Sequence, residues 1–380
     1  MRTLDDARTL CEKHVPGLYS ALASEPLLEL ERPGNPGLDL FRKFGGPALV
    51  IPRAYGGLGV DPREAAAVVR AIGSVAPSLA VATAMHHFSV ATLFTLADSL
   101  RSGGTEWAIL EGIADQSLLV SSGFAEGRPG QGILSPTMTA TPHERGFLVT
   151  GSKRPCSMAA SMDLLSASAA VPTPDGGSEL RVLLIPATSP GISVHPFWDT
   201  AILAGAESDE VRLEEVFVDE RLAIPATVDE AGAVDELQTV GFIWFELVIC
   251  ACYLGMVGAL VERVFTARRA SVETRAWLGV RLETAALLLD SVARLLIDGR
   301  ADNAALATAM IARYGIQDAI DDIATRSVEA LGGIAFITDP EVAYLATAGR
   351  CLGFHPPARS ACADGLVESL SGGTFRIDRK

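Results

Sequence analysis

The chain has 380 residues, of which 49% are hydrophobic and 20% are charged, so it is able to form a large core and is too apolar for a disordered protein. Its 31 basic and 46 acidic side chains leave a formal net charge of −15 at pH 7. This balance disfavours a nucleic-acid partner and general binding to anionic membranes, because both require a basic surface.

The mean hydropathy of +0.30 raises the question of a membrane span. The strongest candidate, residues 240–261, is long enough to cross a bilayer of about 30 Å. Glu246 lies inside it, and no basic cluster flanks either end to set an orientation. We therefore expect a helix that is buried on all sides in the core of a soluble protein, and no membrane partner.

The N-terminus and the cysteines indicate a cytoplasmic protein. Asp5, Asp6 and Glu12 interrupt the region that would be apolar in a secretory signal peptide. The six cysteines form no CxxC pair, and the six histidines are equally dispersed. We therefore expect reduced thiols and no metal site.

Residues 1–116 are expected to form an N-terminal helical domain. The segments 65–75 and 79–100 are rich in Ala, Val and Leu and show no alternation of the kind found in strands. Two loops interrupt this helical region: 31–37, which contains glycine and proline, and 55–59, which contains glycine.

Residues 117–227 are expected to form a small central β-barrel or β-sandwich domain. Short apolar runs such as 147–153 and 180–186 lie between turn signals. Apolar and polar residues alternate through 211–218, and a slip of one step at Glu214 and Glu215 predicts a bulge or a bend.

Residues 228–380 return to a helical pattern. Apolar residues recur at helical spacing through 282–296 and again through 316–331. Together with 240–261 and a fourth helix near 340–370, they predict a C-terminal four-helix bundle. The fold class is therefore α+β, with two helical domains on either side of a β domain.

Five sequence elements in this order resemble the acyl-CoA dehydrogenase superfamily, and they cover essentially the whole chain. They are the loop 51–59, residues 78–80 followed by His86, the strand and turn 147–153, the segments 198–200 and 208–218, and the glycine turn 329–333. The family has the same order of helical, β and helical domains, so the resemblance supports the predicted fold.

The resemblance implies FAD as cofactor, a homodimer or homotetramer, and α,β-dehydrogenation of an acyl thioester of CoA or a carrier protein. In that reaction a carboxylate removes the α-proton while the flavin accepts a hydride and passes its electrons to an acceptor. By the same resemblance, Gly332 and Gly333 hold the cofactor pyrophosphate across a subunit interface. Arg268 approaches the cofactor phosphates. The excess of Arg over Lys and the high Ala content favour a role in secondary metabolism.

The chain departs from the family pattern at the catalytic base. The usual glutamate position falls on Pro356, which has neither a carboxylate nor a backbone N–H for the thioester oxygen. Two catalytic candidates remain: Glu246, the one acidic residue in 240–261, and His355 beside Pro356. For Glu246 the alternative is a core ion pair with an arginine such as Arg326 or Arg350.

The resemblance also assigns flavin contacts. Ser121 and Ser157 keep hydroxyl groups for hydrogen bonds to the flavin, whereas Pro155 replaces the aromatic residue that usually covers the ring. His86 and His87 are further candidates for the lining of the same pocket.

Three functions remain open at this point. The leading hypothesis is an FAD-dependent acyl-thioester dehydrogenase with a relocated base. The second is a flavin monooxygenase of the same fold that receives reduced flavin from a partner reductase, since such relatives do without the catalytic glutamate. The third is a member that has lost redox chemistry and serves as a non-redox enzyme or a binding protein.

Overall fold

The computed structural model describes residues 1–98, 104–128, 134–226 and 234–377. The N-terminal helices are α1 (Arg2–His14), α2 (Leu18–Ala23), α3 (Leu27–Leu30), α4 (Gly37–Lys43), α5 (Pro62–Gly73), α6 (Pro77–Ala97) and α7 (Thr105–Gln116). Helix α5 begins where the local sequence requires it, because the Asp61 side chain accepts a hydrogen bond from the Glu64 N–H and Pro62 occupies the first turn. The predicted helix 79–100 corresponds to α6, and its last two residues lie outside the described ranges.

The predicted central β domain is confirmed, and its strands form one mixed sheet. The strands are β1 (Val120–Gly123), β2 (Thr139–His143), β3 (Gly146–Cys156), β4 (Leu164–Pro172), β5 (Ser178–Pro186), β6 (Ile192–His195), β7 (Asp209–Asp219) and β8 (Ala223–Ala226). Their order in the sheet is β6-β7-β3-β2-β4-β5-β8, with β1 paired to β4. Strands β1 and β2 run parallel to β4, and the other pairs are antiparallel. The expected domain boundary between residues 227 and 228 lies outside the described residues.

The predicted bulge in strand β7 is also confirmed. Val149 pairs with Val216 and Gly151 pairs with Leu213, so two residues of β7, Glu214 and Glu215, lie opposite a single residue of β3. Glu215 has a φ of +50°, which bends the strand at this point.

The two faces of the sheet have different surroundings. Alternate residues of β4 and β5, such as Leu165, Ala167 and Leu183, are buried in a hydrophobic core that belongs to the sheet itself. The residues between them point to the opposite face, which lies toward the helices. That second face forms one wall of the site described below.

The C-terminal helices are α8 (Glu236–Ala267), α9 (Val272–Ile297), α10 (Asn303–Leu331), α11 (Gly333–Thr338), α12 (Pro340–Gly349) and α13 (Arg359–Leu370). Helices α8, α9 and α10 pack against one another, and α12 packs against α8 and α10. The single fourth helix predicted near 340–370 is wrong, because α12 and α13 are separate. Pro356 and Pro357 lie between them and lack the backbone N–H groups that a continuous helix needs.

Helix α8 is the centre of the molecule. Helices α6 and α8 are the two described helices that are long and apolar enough to cross a membrane, but 83% of the apolar window of each is buried inside the fold. A close crossing with α5 explains part of this burial. A Cβ on Gly255 would lie 2.2 Å from the Arg70 carbonyl oxygen, and one on Gly73 would lie 2.4 Å from the Cys252 carbonyl oxygen. Glycine at both positions therefore lets the two helices touch backbone to backbone.

Candidate active-site cavity

A cavity of about 260 Å³ lies between the sheet and helices α6 and α8. The segment that follows α12, which we call the His355 segment (residues 351–357), closes one side of it with Cys351, Phe354, His355 and Pro356. The N-terminal helical domain, the β domain and the C-terminal helical domain therefore all contribute residues to this cavity. Ligands usually bind in concave pockets of this kind.

The sheet wall of the cavity carries a row of serine hydroxyl groups. Ser122 of β1 pairs directly with Ser166 of β4, and both line the cavity. Their hydroxyl groups have no hydrogen-bond partner among the residues that the structure describes, although the side chains are only 9% and 5% exposed. These two groups are therefore left to hydrogen bond with a ligand.

Ser168, two positions further along β4, also lines the cavity, and its hydroxyl oxygen accepts a hydrogen bond from the protein. The buried Lys153 Nζ donates a hydrogen bond of 3.1 Å to Ser168 Oγ and one of 2.8 Å to Glu126. Because an ammonium group only donates, the Ser168 oxygen acts as acceptor in this contact and its own O–H can donate to another group.

The helix walls are mainly apolar, with Ser89 and Gln238 among their few polar residues. Met85, Phe88 and Thr92 follow one another along one face of α6, and the Thr92 hydroxyl donates to the Phe88 carbonyl of its own helix at 2.8 Å. On α8, Phe242 and Phe245 face them, and the Phe88 and Phe245 rings meet edge to face at 5.2 Å. This side of the cavity offers hydrocarbon contacts and no free polar group among these residues.

His355 is the one imidazole among the described lining residues. Its Nε2 lies 2.7 Å from the hydroxyl oxygen of the fully buried Tyr253, and its Nδ1 has no partner among the residues that the structure describes. Burial, together with the charge of Arg313, lowers the pKa of His355 to about 3, so the ring is neutral at neutral pH.

The hydroxyl of Tyr253 determines which nitrogen of His355 carries the proton. Burial raises the pKa of Tyr253 well above its ordinary value, so the phenol keeps its proton. His355 Nε2 is the one acceptor that this hydroxyl contacts among the described residues, which favours the tautomer in which Nε2 accepts and Nδ1 carries the ring proton. The tautomer therefore makes His355 a neutral hydrogen-bond donor, where the sequence predicts a base.

Glu246 does not line the cavity. Its carboxylate lies 2.9 Å from Arg313 Nε, and both side chains are 1% exposed. Burial raises the pKa of Glu246, and the charge of Arg313 opposes that rise. The geometry is that of a core ion pair, but the partners predicted from the sequence are wrong: Arg326 stacks over Trp277 at 4.1 Å, and Arg350 pairs with Asp321 at 3.3 Å.

The two predicted flavin-binding serines lie together, but only one of them lines the cavity. Ser121 is fully buried and donates a hydrogen bond of 2.6 Å to the Ser157 carbonyl oxygen. Ser157 lines the cavity, and its hydroxyl lies 3.0 Å from the Ser208 hydroxyl. The residue that the sequence prediction missed is Ser122, which the alternation of strand residues places on the face opposite to Ser121.

Other predicted residues lie away from this cavity. Arg268 is exposed at the C-terminal end of α8, about 22 Å along the helix from Tyr253 at 1.5 Å per residue. Gly332, with a φ of +83°, ends α10, and Gly333 begins α11 at the surface. His86 and His87 are buried on α6 outside the cavity lining.

The described residues that line the cavity include no Asp, Glu, Lys or Arg. An acyl-thioester dehydrogenase needs a carboxylate to remove the α-proton, and no carboxylate is present in this part of the lining. Among the described residues there is also no group of three or more His, Cys, Asp or Glu placed to hold a metal ion. The arrangement instead combines serine hydroxyls, a neutral histidine and hydrocarbon surface.

Comparison with solved structures identifies the fold as that of the acyl-CoA dehydrogenase-like proteins. KijD3, solved in complex with FMN and a dTDP-sugar, has a TM-score of 0.82 at 20% identity, covering 96% of this chain and 94% of KijD3. FMN-bound TdsC from Paenibacillus sp. A11-2 has a TM-score of 0.79 at 17% identity, covering 99% of both chains. No model of a known protein family matches the chain.

A curated relative matches over the full length. Isobutylamine N-hydroxylase of Streptomyces viridifaciens is 48% identical over 378 residues, which is 99% of this chain and 100% of the relative. The chain therefore belongs to the acyl-CoA dehydrogenase-like family that includes this N-hydroxylase.

Proposed function

We propose that the protein is a flavin-dependent monooxygenase that N-hydroxylates a small aliphatic amine, with reduced flavin supplied by a partner reductase. The observation that carries this proposal is the 48% identity to isobutylamine N-hydroxylase across essentially both chains. It favours the monooxygenase alternative over acyl-thioester dehydrogenation. The cavity supports the same choice, because its described lining has no carboxylate to act as a dehydrogenase base.

The chain's own residues fit a flavin. Ser122 and Ser166 present two buried hydroxyls without a partner among the described residues, and a flavin ring has polar edges that such groups bind. Pro155 and Trp198 add apolar surface to the same cavity, which suits the faces of a ring. These residues would hold either FMN or FAD, and a titration of both separates the two.

The apolar walls favour an uncharged amine. An alkylammonium ion that enters this cavity meets no carboxylate among the described lining residues, so its transfer from water is unfavourable. The neutral amine has a free electron pair on nitrogen, which is the form that N-hydroxylation requires. Phe88, Phe245 and Val81 offer hydrocarbon contact to a short alkyl group.

His355 would stabilise the oxygen atom that gains negative charge during the reaction. When bound, a reduced flavin provides two electrons that, with dioxygen, leave one oxygen atom for the amine and one as water. His355 holds a proton at Nδ1 and can donate a hydrogen bond through it to an oxygen atom that gains negative charge in the cavity. Tyr253, behind the ring, holds Nε2 and so keeps this donor directed into the cavity.

The decisive experiment combines the purified protein, a flavin reductase, NADH, FMN or FAD, oxygen and isobutylamine. We expect the N-alkylhydroxylamine, detected by mass spectrometry, only when reductase and protein are both present. The matched control replaces the amine with an acyl-CoA and an artificial electron acceptor under anaerobic conditions. Bleaching of the flavin by the acyl-CoA, without hydroxylamine formation from any small amine, would contradict the proposal.

We also propose that two copies of the chain associate at the surface around Gly332. Ile334, Ile337 and Phe354 are 72%, 77% and 83% exposed there, which is unusual for side chains of this size in a monomer. Light scattering on the purified protein tests this: a dimer or tetramer that Ile337→Asp dissociates is expected, and a wild-type monomer contradicts it.

A further inference from the structure

The buried ion pair between Glu246 and Arg313 needs an explanation beyond stability. Both side chains are 1% exposed, and the contact is a single approach of 2.9 Å between Arg313 Nε and Glu246 Oε2. The carboxylate has no aligned hydrogen bond from any described residue. Two charges removed from water in this way often stabilise a fold less than apolar residues of the same size.

The remaining donors of Arg313 lead to the His355 segment. Arg313 Nη2 donates a hydrogen bond of 2.7 Å to the Leu352 carbonyl oxygen and a longer one of 3.4 Å to the His355 carbonyl oxygen. Arg313 Nη1 donates to Gln317 Oε1 at 3.0 Å within α10. The planar guanidinium therefore contacts the backbone on both sides of the turn that carries the imidazole.

Helix α8 is connected to His355 in two ways, once directly and once through Arg313. Tyr253 contacts the imidazole directly, and Glu246 lies about two helical turns before it on α8. Glu246 contacts Arg313, and Arg313 contacts the backbone of His355. The ring and the backbone of His355 are thus both connected to one rigid, buried helix.

We propose that Arg313 is a positioning residue for His355, and that Glu246 holds the guanidinium of Arg313 in the orientation that this requires. The proposal rests on the role given to His355 under the proposed function. It gives the buried pair a function in catalysis although neither side chain lines the cavity.

The test removes both charges together, so that no unpaired charge is left in the core. In Glu246→Leu with Arg313→Met, the apolar pair replaces the ion pair at similar volume, and the fold is expected to be retained. A second variant, Arg313→Lys, keeps a positive charge near Glu246. Its single ammonium nitrogen cannot reach the separate partners that the three guanidinium nitrogens contact. The matched control is Arg8→Met with Glu262→Leu, an Arg–Glu pair between α1 and α8 whose atoms meet at 2.7 Å and which does not line the cavity.

Two readouts separate positioning from a purely structural role. The first is hydroxylamine formed per reduced flavin consumed, which we expect to fall about tenfold or more in both Arg313 variants and to stay at the wild-type value in the control. The second is the imidazole NMR spectrum of the protein labelled at its six histidines, with the His355 signal assigned by its loss in His355→Gln. That signal should shift or broaden in the Arg313 variants, while the melting temperature stays near that of the wild type.

The outcomes distinguish this inference from the proposed function. A wild-type protein that hydroxylates no small amine contradicts the proposed function, and the NMR signal still tests the contact of Arg313 with the His355 segment. Wild-type coupling and an unchanged His355 signal in the folded double variant would overturn the positioning role.

Discussion

Two histidine sites in this protein show how neighbouring groups assign a role to the same side chain. His86 and His87 lie on α6, fully buried, whereas His355 lies between α12 and α13 at the cavity. His86 has both nitrogens occupied by backbone groups, accepting from the Val120 N–H at 3.0 Å and donating to the Pro47 carbonyl oxygen at 2.9 Å. His355 has one nitrogen held by Tyr253 and the other left for a ligand. An imidazole with both nitrogens hydrogen bonded to the backbone, as in His86, stabilises the fold. An imidazole with one nitrogen left over, as in His355, can also bind a ligand.

The largest expected effect is a loss of activity on substitution of His355, the histidine at the cavity. Because glutamine lacks the imidazole N–H that Tyr253 directs toward the cavity, His355→Gln should lower hydroxylamine formation about 10²- to 10³-fold. Flavin affinity should stay unchanged, since the serines that we assign to flavin lie on the sheet wall. Single-turnover assays with reduced flavin measure the first quantity and fluorescence titration the second. His87→Leu is the matched control, and equal turnover in the two variants would contradict the assignment.

The next largest effect belongs to the structural side. His86→Leu removes an acceptor from the Val120 N–H and a donor from the Pro47 carbonyl, both in the protein interior. An unsatisfied buried polar group costs about 1–3 kcal/mol, so for these two groups the free energy of unfolding should fall by about 2–6 kcal/mol. Urea denaturation at neutral pH measures it. If the free energy of unfolding changed as little in His86→Leu as in His87→Leu, the backbone contacts of His86 would contribute little to stability.

Tyr253→Phe should have a smaller effect and test the tautomer of His355. Without the phenol hydroxyl, Nε2 loses the hydrogen bond that directs the ring proton to Nδ1. We expect about a tenfold lower rate of product formation, because one hydrogen bond no longer orients the donor. Nitrogen chemical shifts of the labelled imidazole report the tautomer directly. A variant that keeps both the rate and the Nδ1–H signal would exclude Tyr253 from this role.

Much of the fold could be predicted from the sequence, because short-range patterns determine it. The bulge at Glu214 and Glu215 followed from one slip in strand alternation, and the buried helix α8 followed from an apolar run with a single acidic residue. The gap between α12 and α13 was missed, although Pro356 and Pro357 indicate it.

The site was harder to predict, because it depends on long-range contacts. Nothing near Glu246 in the sequence indicates that Arg313, on another helix, is its partner. Alternation on β1 separates Ser121 from Ser122, but only the packing of the sheet decides which of them faces the cavity. His355 was found because it adjoins the departure at Pro356, whereas its contact with Tyr253 is visible only in three dimensions.

The smallest expected effect concerns His87, which packs against Phe41 and has no hydrogen-bond partner on either nitrogen within the described parts of the chain. Burial lowers the pKa of His87 well below its usual value, so the native state stays neutral at a pH where the unfolded chain takes up a proton. Any stability that depends on this group is therefore complete above about pH 6.5 and is lost as the pH falls below it, by up to about 1.4 kcal/mol per pH unit.

His87→Leu should remove that contribution and leave the free energy of unfolding at about pH 7.5 equal or slightly higher, because an unpartnered polar ring is replaced by an apolar side chain. Urea denaturation of wild type and variant at about pH 5 and about pH 7.5 measures the difference in slope. His86, whose pKa burial lowers to about 4, contributes acid sensitivity in both proteins and cancels in the comparison. Identical slopes would mean that an unseen group satisfies His87, and the contrast between the two histidine sites would then rest on His86 alone.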